Sequence, residues 1–133
     1  MTIKEMKAFD IDELLALYNS VGWTNYTDNP EMLKQAYEHS LLTLGARHRE
    51  RLVGVIRVVG DGYSIVFIQD ILVHPEYQRQ GIGTQLLGEI RERFSGVYQM
   101  ELLTDDTPKT ISFYRSVGFR KAEDVGACAF IRM

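Results

Sequence analysis

The segment from Asp70 to Thr84 constrains the fold more than any other part of the chain. It reads Asp-Ile-Leu-Val-His-Pro-Glu-Tyr-Gln-Arg-Gln-Gly-Ile-Gly-Thr, so a hydrophobic stretch gives way to a polar loop and then to a Gly-x-Gly step. Apolar residues then recur at helical spacing from Ile82 to Phe94. The pattern predicts a buried strand, a loop and an amphipathic helix, which is the repeating unit of α/β domains.

The first turn of that helix is suited to binding a phosphate. Its N–H groups are unpaired and carry partial positive charge, and glycine allows close approach because no Cβ intervenes. A P-loop is excluded because Gly83 is followed by Thr84-Gln85 instead of Lys and Ser or Thr. A dinucleotide fingerprint is weakened because Leu86 stands where a third small residue is needed. A purely structural turn between strand and helix stays open as the third interpretation.

Strand and helix signals alternate along the rest of the chain. Capping patterns at Asp10 and at Asn29-Pro30 open two helices. The other predicted elements are a strand at 1–7, a hairpin of 41–46 with 52–59, strands at 63–73 and 98–104, a helix at 108–117 and two closing strands from Phe119 onward. The predicted order is β-α-α-β-β-β-α-β-α-β-β. This is an α/β fold with a mixed central sheet flanked by about four helices, in a single domain covering residues 1–133.

Composition excludes several classes of function. The chain has 133 residues, 45% hydrophobic and 25% charged, with a net charge of −3, which is typical of a globular protein and disfavours nucleic acid as a partner. No apolar run approaches the roughly 18 residues of a membrane span, and charges break any signal-peptide core, so we expect no membrane partner and a cytoplasmic location. The lone Cys128 forms no internal disulfide and belongs to no metal-ligand pattern, so we expect no metal and place Cys128 in the core of the last strand.

Two motifs resemble the GNAT superfamily of N-acetyltransferases. Gln78-Arg79-Gln80-Gly81-Ile82-Gly83 is similar to the family's Arg/Gln-x-x-Gly-x-Gly/Ala motif, and Phe113-Tyr114-Arg115-Ser116-Val117-Gly118-Phe119 resembles its second motif. Each motif alone is loose, but the two together, in this order and spacing, are specific. The resemblance implies an enzyme that transfers the acetyl group of acetyl-coenzyme A to an amine by direct attack.

The same resemblance implies which residues bind coenzyme A. The strand backbone would bond the pantetheine arm, and the loop would bind the pyrophosphate; the residues are Ile71, Leu72, Val73, Gln78, Arg79, Gln80, Gly81, Ile82, Gly83 and Thr84. Backbone N–H groups near Leu72 and Val73 would stabilise the oxyanion. Tyr114 matches the family's tyrosine near the thioester sulfur and would be the catalytic acid that protonates the departing thiolate.

The resemblance implies an acceptor pocket that includes Trp23, Tyr26, Phe67 and Gln69, and packing of Trp23 and Tyr26 onto the sheet is the open alternative. Phe67 stands where some family members carry a glutamate base, and neither Phe67 nor Gln69 can accept a proton. Strand alternation points Asp70 to the opposite face, where its role would be structural. The sequence therefore names no general base.

The acceptor itself is expected to be a small-molecule amine or a protein amine, and the sequence leaves a homodimer open. The alternative functions are a coenzyme A or acyl-coenzyme A binding module without catalysis, supported by the missing carboxylate, and a nucleotide-binding protein.

Overall fold

A mixed five-stranded sheet forms the framework of the chain. The computed structural model describes residues 1–133, which form two compact units, Met1–Leu102 and Leu103–Met133. The strands are β1 (Thr2–Glu5), β2 (Leu42–His48), β3 (Arg51–Gly60), β4 (Ile65–Val73) and β5 (Gln99–Leu102). They lie in the order β1-β2-β3-β4-β5, with three antiparallel pairings and a parallel pairing of β4 with β5. The predicted α/β fold with a mixed sheet is confirmed, and the assignment of residues 1–133 to one domain stays a prediction.

Five helices accompany the sheet, where the sequence predicts about four. They are α1 (Ile11–Ser20), α2 (Thr24–Thr27), α3 (Pro30–Glu38), α4 (Ile82–Arg93) and α5 (Pro108–Ser116). The additional one, α2, is a single turn in the predicted loop, and it has no side-chain cap that the sequence could reveal. The predicted caps are confirmed, since Asp10, Asn29 and Thr107 each accept a hydrogen bond from the backbone of the helix that follows. None of the five is both long and apolar enough to cross a bilayer.

Helices pack on both faces of the sheet. Helices α1, α2 and α3 cover one face, and their core cluster consists of Leu14, Leu17, Tyr18, Tyr26, Leu33, Tyr37, Leu52, Val55 and Leu72. Helix α4 buries Ile82, Leu86, Leu87 and Ile90. A Cβ on Gly54 would lie 3.3 Å from the Ile82 side chain. Because Gly54 and Val55 are neighbours on one strand, they face opposite sides, so α4 covers the second face.

The unit Leu103–Met133 contains α5 and a short 3-10 turn at Ala122–Val125, and it contains no strand. The prediction of two closing strands from Phe119 onward is therefore wrong. A strand exists only where its backbone pairs with a partner, and residues 128–133 make no backbone hydrogen bond. The prediction that Cys128 lies in the core is also wrong, because it is exposed in this unpaired segment.

Candidate active site

The loop before α4 ends in an open set of N–H donors. Gly81 caps the helix in the left-handed region, with φ at 82°, and no side chain caps this end. The first helical hydrogen bond runs from the Gln85 N–H to the Gly81 carbonyl at 3.0 Å. The N–H groups of Ile82, Gly83 and Thr84 therefore have no acceptor within the helix. A Cβ built on Gly83 would meet nothing within 4 Å, so this turn leaves room for an anion.

The end of β4 offers free backbone groups next to that loop. β5 pairs with β4 only along Ile65–Ile68, so the rest of β4 has no partner on that side. The His74 N–H bonds to the Val53 carbonyl of β3 at 2.8 Å. Because backbone groups alternate in an antiparallel pair, those of Ile71 and Val73 point to the open edge, whereas those of Leu72 point to β3. The Gln78 side chain donates to the Val73 carbonyl at 3.0 Å and joins the loop to the strand.

A β-bulge at Gln69 changes the face on which its neighbour lies. Arg57 pairs with Asp70 and Val58 pairs with Ile68, which leaves Gln69 as the extra residue. The Tyr26 hydroxyl donates to Asp70 Oδ1 at 2.9 Å and accepts from Arg57 Nη2 at 3.4 Å. Arg57 and Val59 share one face of β3, and their partners Asp70 and Phe67 therefore share a face of β4. The prediction that Asp70 lies on the face opposite Phe67 is wrong, because the bulge interrupts the alternation on which it rests.

Asp70 lies at the centre of a buried polar network. Its Oδ2 accepts from Arg57 Nε at 2.8 Å and from the Tyr18 hydroxyl at 2.9 Å. The Tyr37 hydroxyl lies 2.8 Å from that of Tyr18, and it must be the donor because the Tyr18 proton is directed at Asp70. Both Arg57 and Asp70 are under 5% exposed. These bonds connect α1, α2 and α3, through their buried tyrosines, to the bulge of β4.

The electrostatics of the network keep its phenols neutral and its arginine charged. Burial raises the pKa of Tyr18, and the neighbouring Tyr37 and Asp70 raise it further. Burial is also the main cause of the raised pKa of Tyr26 and of Tyr37. Burial by itself lowers the pKa of Arg57, but the Asp70 carboxylate outweighs this and the net shift is upward. The three phenols and the Arg57 guanidinium therefore keep their protons at neutral pH.

The sequence reasoning assigned no partner to Asp70 and overlooked Arg57 and Tyr18, although one signal was present. Arg57 is the only charge within Leu52–Val59, and Asp70 is the only charge within Ile65–Val73. A charge inside an apolar strand is almost never fully buried unless it is paired. Two such strands that are neighbours along the chain therefore indicate a buried ion pair between them.

The residues predicted for the acceptor pocket are only partly brought together. The rings of Trp23 and Tyr26 lie 6.5 Å apart, whereas Gln69 is the exposed extra residue of the bulge. Trp23 also packs edge-on against Tyr18 at 5.9 Å, so it contributes to the core cluster as well. Phe67 lies further back along β4, opposite Val59 of β3 and Glu101 of β5.

Within the C-terminal unit, Tyr114 is held by its own sequence motif. Its ring lies edge-on to Phe113 at 5.1 Å and to Phe119 at 5.9 Å, and the Phe119 N–H bonds the Tyr114 carbonyl at 3.0 Å. Burial raises the pKa of the Tyr114 phenol, and a hydrogen bond with Thr104 offsets part of this rise. The hydroxyl therefore stays protonated at neutral pH, as a proton donor must.

Comparison with known proteins places these features in one family. A family model described as "Acetyltransferase (GNAT) domain" matches residues 39–121, a range that includes both motifs. An uncharacterised ycf52-like N-acetyltransferase of Prochlorococcus marinus is 32% identical over 132 residues, which cover 95% of this chain and 71% of that protein.

Solved structures agree with this result. A GNAT-family acetyltransferase of Streptococcus pneumoniae is 44% identical, with a TM-score of 0.90 over 99% of this chain and 96% of that one. The aminoglycoside N-acetyltransferase AAC(6')-Iy, solved with a bisubstrate analogue that contains coenzyme A, is 16% identical. It has a TM-score of 0.76 over 99% of this chain and 97% of its own, so it shares the fold.

Proposed function

We propose that this chain transfers the acetyl group of acetyl-coenzyme A to an amine, because it belongs to the GNAT family of N-acetyltransferases. The observation that carries the proposal is the open N–H turn of α4 beside the unpaired edge of β4. Coenzyme A has a pyrophosphate that suits the first feature and pantetheine amides that suit the second. The complex of AAC(6')-Iy with an analogue containing coenzyme A supports this choice of donor.

Different groups of the chain would bind different parts of coenzyme A. The N–H groups of Ile82, Gly83 and Thr84 would bind the pyrophosphate, because they lack acceptors and carry the positive end of the helix dipole. Gln78, through its bond to the Val73 carbonyl, fixes the loop against the strand. The backbone groups of Ile71 on the open edge would hydrogen-bond the pantetheine amides, and the Val73 N–H is left for the reacting carbonyl. Leu72 would contribute by packing alone, since its side chain is buried in the core cluster.

Acetyl-coenzyme A supplies an activated thioester, so attack by an amine forms the amide bond and releases a thiol. A backbone N–H on the open edge of β4, such as that of Val73, would stabilise negative charge on the carbonyl oxygen. The protonated Tyr114 hydroxyl would donate its proton to the sulfur as the C–S bond breaks. The amine's surplus proton goes to solvent, because Gln69 and Phe67 cannot accept it. Trp23, Tyr26 and Gln69 would form an aromatic and amide-lined wall for the acceptor.

Calorimetric titration with coenzyme A tests the binding site. Gly83→Val places a β-branched side chain on the turn, whereas Gly88→Val places the same side chain in the same helix, also in open space. Both variants exchange Gly for Val in the same helix, so they differ mainly in whether the new side chain meets the phosphate. We expect Gly83→Val to lose binding and Gly88→Val to keep it. Equal affinity of the two variants would contradict the site.

A screen of an amine library tests the reaction. The measurement is the release of coenzyme A thiol from acetyl-coenzyme A by the wild-type protein, with small amines, amino acids and peptides as acceptors. Acceptor-dependent release in the wild type, lost in Gly83→Val, is the expected result. Tight binding of coenzyme A without release for any amine would favour the non-catalytic binding module.

A further inference from the structure

A cavity of about 270 Å³ opens between the end of α3 and the outer strands β1 and β2. Part of its lining is aromatic, because Phe9 and Tyr37 both contribute to it and their rings pack edge-on at 5.4 Å. Met6, Leu41 and Leu42 add apolar surface. Pockets for drug-sized molecules begin at about 300 Å³, so this cavity suits a smaller ligand. We call it the β1–β2 cavity.

One buried polar side chain, that of Thr43, also lines the β1–β2 cavity. Thr43 pairs with Arg57, whose guanidinium lies over the Tyr37 ring, so both side chains are on the face of the sheet that α3 covers. Thr43 is only 5% exposed, and its hydroxyl has no hydrogen-bond partner within the chain, although every fully enclosed side-chain polar atom has one. The hydroxyl is therefore open to the cavity. A polar group placed in this way among apolar neighbours is typical of those that orient a bound molecule.

The cavity also carries one uncompensated charge of each sign. Lys7 and Glu38 both line it, both are exposed, and neither side chain forms an ion pair or a hydrogen bond within the chain. Glu5 lines the cavity as well, but it is paired with Arg93 at 3.6 Å. An ammonium and a carboxylate around one apolar cavity are complementary to a zwitterion, because each can form a charge-assisted hydrogen bond with the opposite group. A ligand with a single charge would leave one of the two unmatched.

The β1–β2 cavity is separate from the wall proposed for the acceptor. β3 lies between β2 and β4, and neighbouring strands are about 4.8 Å apart, so β2 and β4 are on the order of 10 Å apart. The Arg57 side chain occupies part of that interval, since its Nη1 donates to the Ser40 hydroxyl at 3.3 Å and its Nε donates to Asp70 at 2.8 Å. An amine held in the cavity therefore cannot reach a thioester on the open edge of β4.

We propose that the β1–β2 cavity binds a free amino acid with an apolar side chain, as a ligand distinct from the acceptor. The carboxylate of the amino acid would bind Lys7, and its ammonium would bind Glu38 and donate to the Thr43 hydroxyl. Its side chain would pack on Phe9 and Tyr37. Each part of such a ligand meets a group that the fold leaves without a partner or an apolar surface that it leaves open.

Titration of the full chain with L-leucine, followed by proton–nitrogen correlation NMR, tests the proposal. We expect saturable shifts of backbone amides around the cavity, such as those of Ser40 and Thr43. Isopentylamine is leucine without the carboxylate, and isocaproate is leucine without the amino group. Each should bind at least about tenfold more weakly than leucine, because each lacks one charge-assisted contact. No saturable shift with leucine, or equal affinity for either analogue, would overturn the proposal.

Matched variants test the two charges. Lys7→Met and Glu38→Gln remove them at exposed positions, so neither change is expected to disturb folding. Lys34→Met and Glu92→Gln make the same exchanges at exposed positions outside the cavity and are the controls. The first two variants should raise the Kd of leucine about tenfold, and the controls should leave it unchanged. Unchanged affinity in both Lys7→Met and Glu38→Gln would overturn the site.

A second pair of variants tests the buried hydroxyl. Thr43→Val removes the hydroxyl and Thr43→Ser keeps it, so only Thr43→Val should weaken the binding of leucine. Leucine-induced shifts centred on Tyr26 and Gln69, in place of Thr43, would place leucine at the acceptor wall and overturn a separate site. These titrations contain no coenzyme A and measure no turnover, so failure here is distinguishable from failure of the proposed reaction.

Discussion

Tyr26 and Tyr114 both have a raised pKa, yet their surroundings suit them to different roles. The Tyr26 hydroxyl directs its proton at the Asp70 carboxylate and also accepts from Arg57, so its hydrogen-bonding capacity is used within the fold. Apart from burial, only the exposed side chains of Thr104 and Asp105 shift the pKa of the Tyr114 phenol. A proton donor must be protonated and free to give up its proton, and Tyr114 satisfies both conditions better than Tyr26.

The first prediction concerns the Tyr114 hydroxyl. Tyr114→Phe keeps the ring contacts with Phe113 and Phe119 and removes only the proton donor. We expect kcat to fall by roughly 10²–10⁴-fold, the usual contribution of a general acid, with the Kd of coenzyme A unchanged. Tyr98→Phe, which removes an exposed hydroxyl, is the control. Wild-type turnover in Tyr114→Phe would make the residue a packing residue only.

The second prediction concerns Trp23 as an acceptor contact. Trp23→Ala should raise the KM of the acceptor and lower kcat/KM by roughly ten- to a hundred-fold, with the Kd of coenzyme A nearly unchanged. Because Trp23 also packs on Tyr18, this variant should melt at a lower temperature as well. Trp23→Phe retains a ring against the core and separates the two effects. Lower thermal stability with unchanged acceptor kinetics would move the pocket away from Trp23.

Among the elements, the strand–loop–helix unit was predictable from the chain and the bulge beside it was not. The glycines, the amphipathic spacing and the caps are local signals, so α4 and the hairpin of β2 with β3 lie close to their predicted positions. The bulge at Gln69 depends on the register between β3 and β4, which neither strand encodes alone. The prediction of two closing strands is wrong for a related reason. The residues after Phe119 favour strand, but pairing requires a partner that local sequence does not specify.

The third prediction belongs to the elements that meet at the bulge. Asp70→Ala removes the acceptor of three buried donors, from Tyr18, Tyr26 and Arg57. An uncompensated buried charge of this kind costs about 3–5 kcal/mol in the free energy of unfolding. Urea denaturation measures the loss, with the exposed Glu92→Ala as the control.

A double variant separates the charge from the packing at the same place. Arg57→Met with Asp70→Leu replaces both buried charges by apolar side chains of similar size. It should recover a large part of the stability lost in Asp70→Ala, because no unpaired charge remains. A loss below about 1 kcal/mol in Asp70→Ala would show that the network does not hold the helices to the sheet.

Over the whole molecule, the site combines residues that local patterns assign with residues that only long-range contacts assign. The turn with open N–H groups before α4 lies within one short segment, so its sequence was sufficient to predict it. The network joins Tyr18 to Asp70 across 52 positions of the chain, and the helix that carries Tyr18 shows only apolar spacing. Apolar periodicity predicts that a tyrosine is buried, but it does not predict which buried charge its hydroxyl meets.

The last prediction is the pH dependence of global stability. Tyr18, Tyr26 and Tyr37 are buried around Asp70, and these three phenols together with that of Tyr114 have a pKa above the usual value near 10. Below pH 10 they are protonated in both states, so their contribution is fully present. Above pH 10 the unfolded chain releases these protons first, and each phenol lowers the free energy of unfolding by about 1.4 kcal/mol per pH unit. Urea midpoints should therefore stay constant from neutral pH to pH 10 and then fall steeply. Tyr37→Phe should reduce that slope by about a quarter, while Tyr63→Phe, an exposed site, should leave it unchanged. A flat profile through pH 11 would mean that these phenols are not buried against Asp70 in solution.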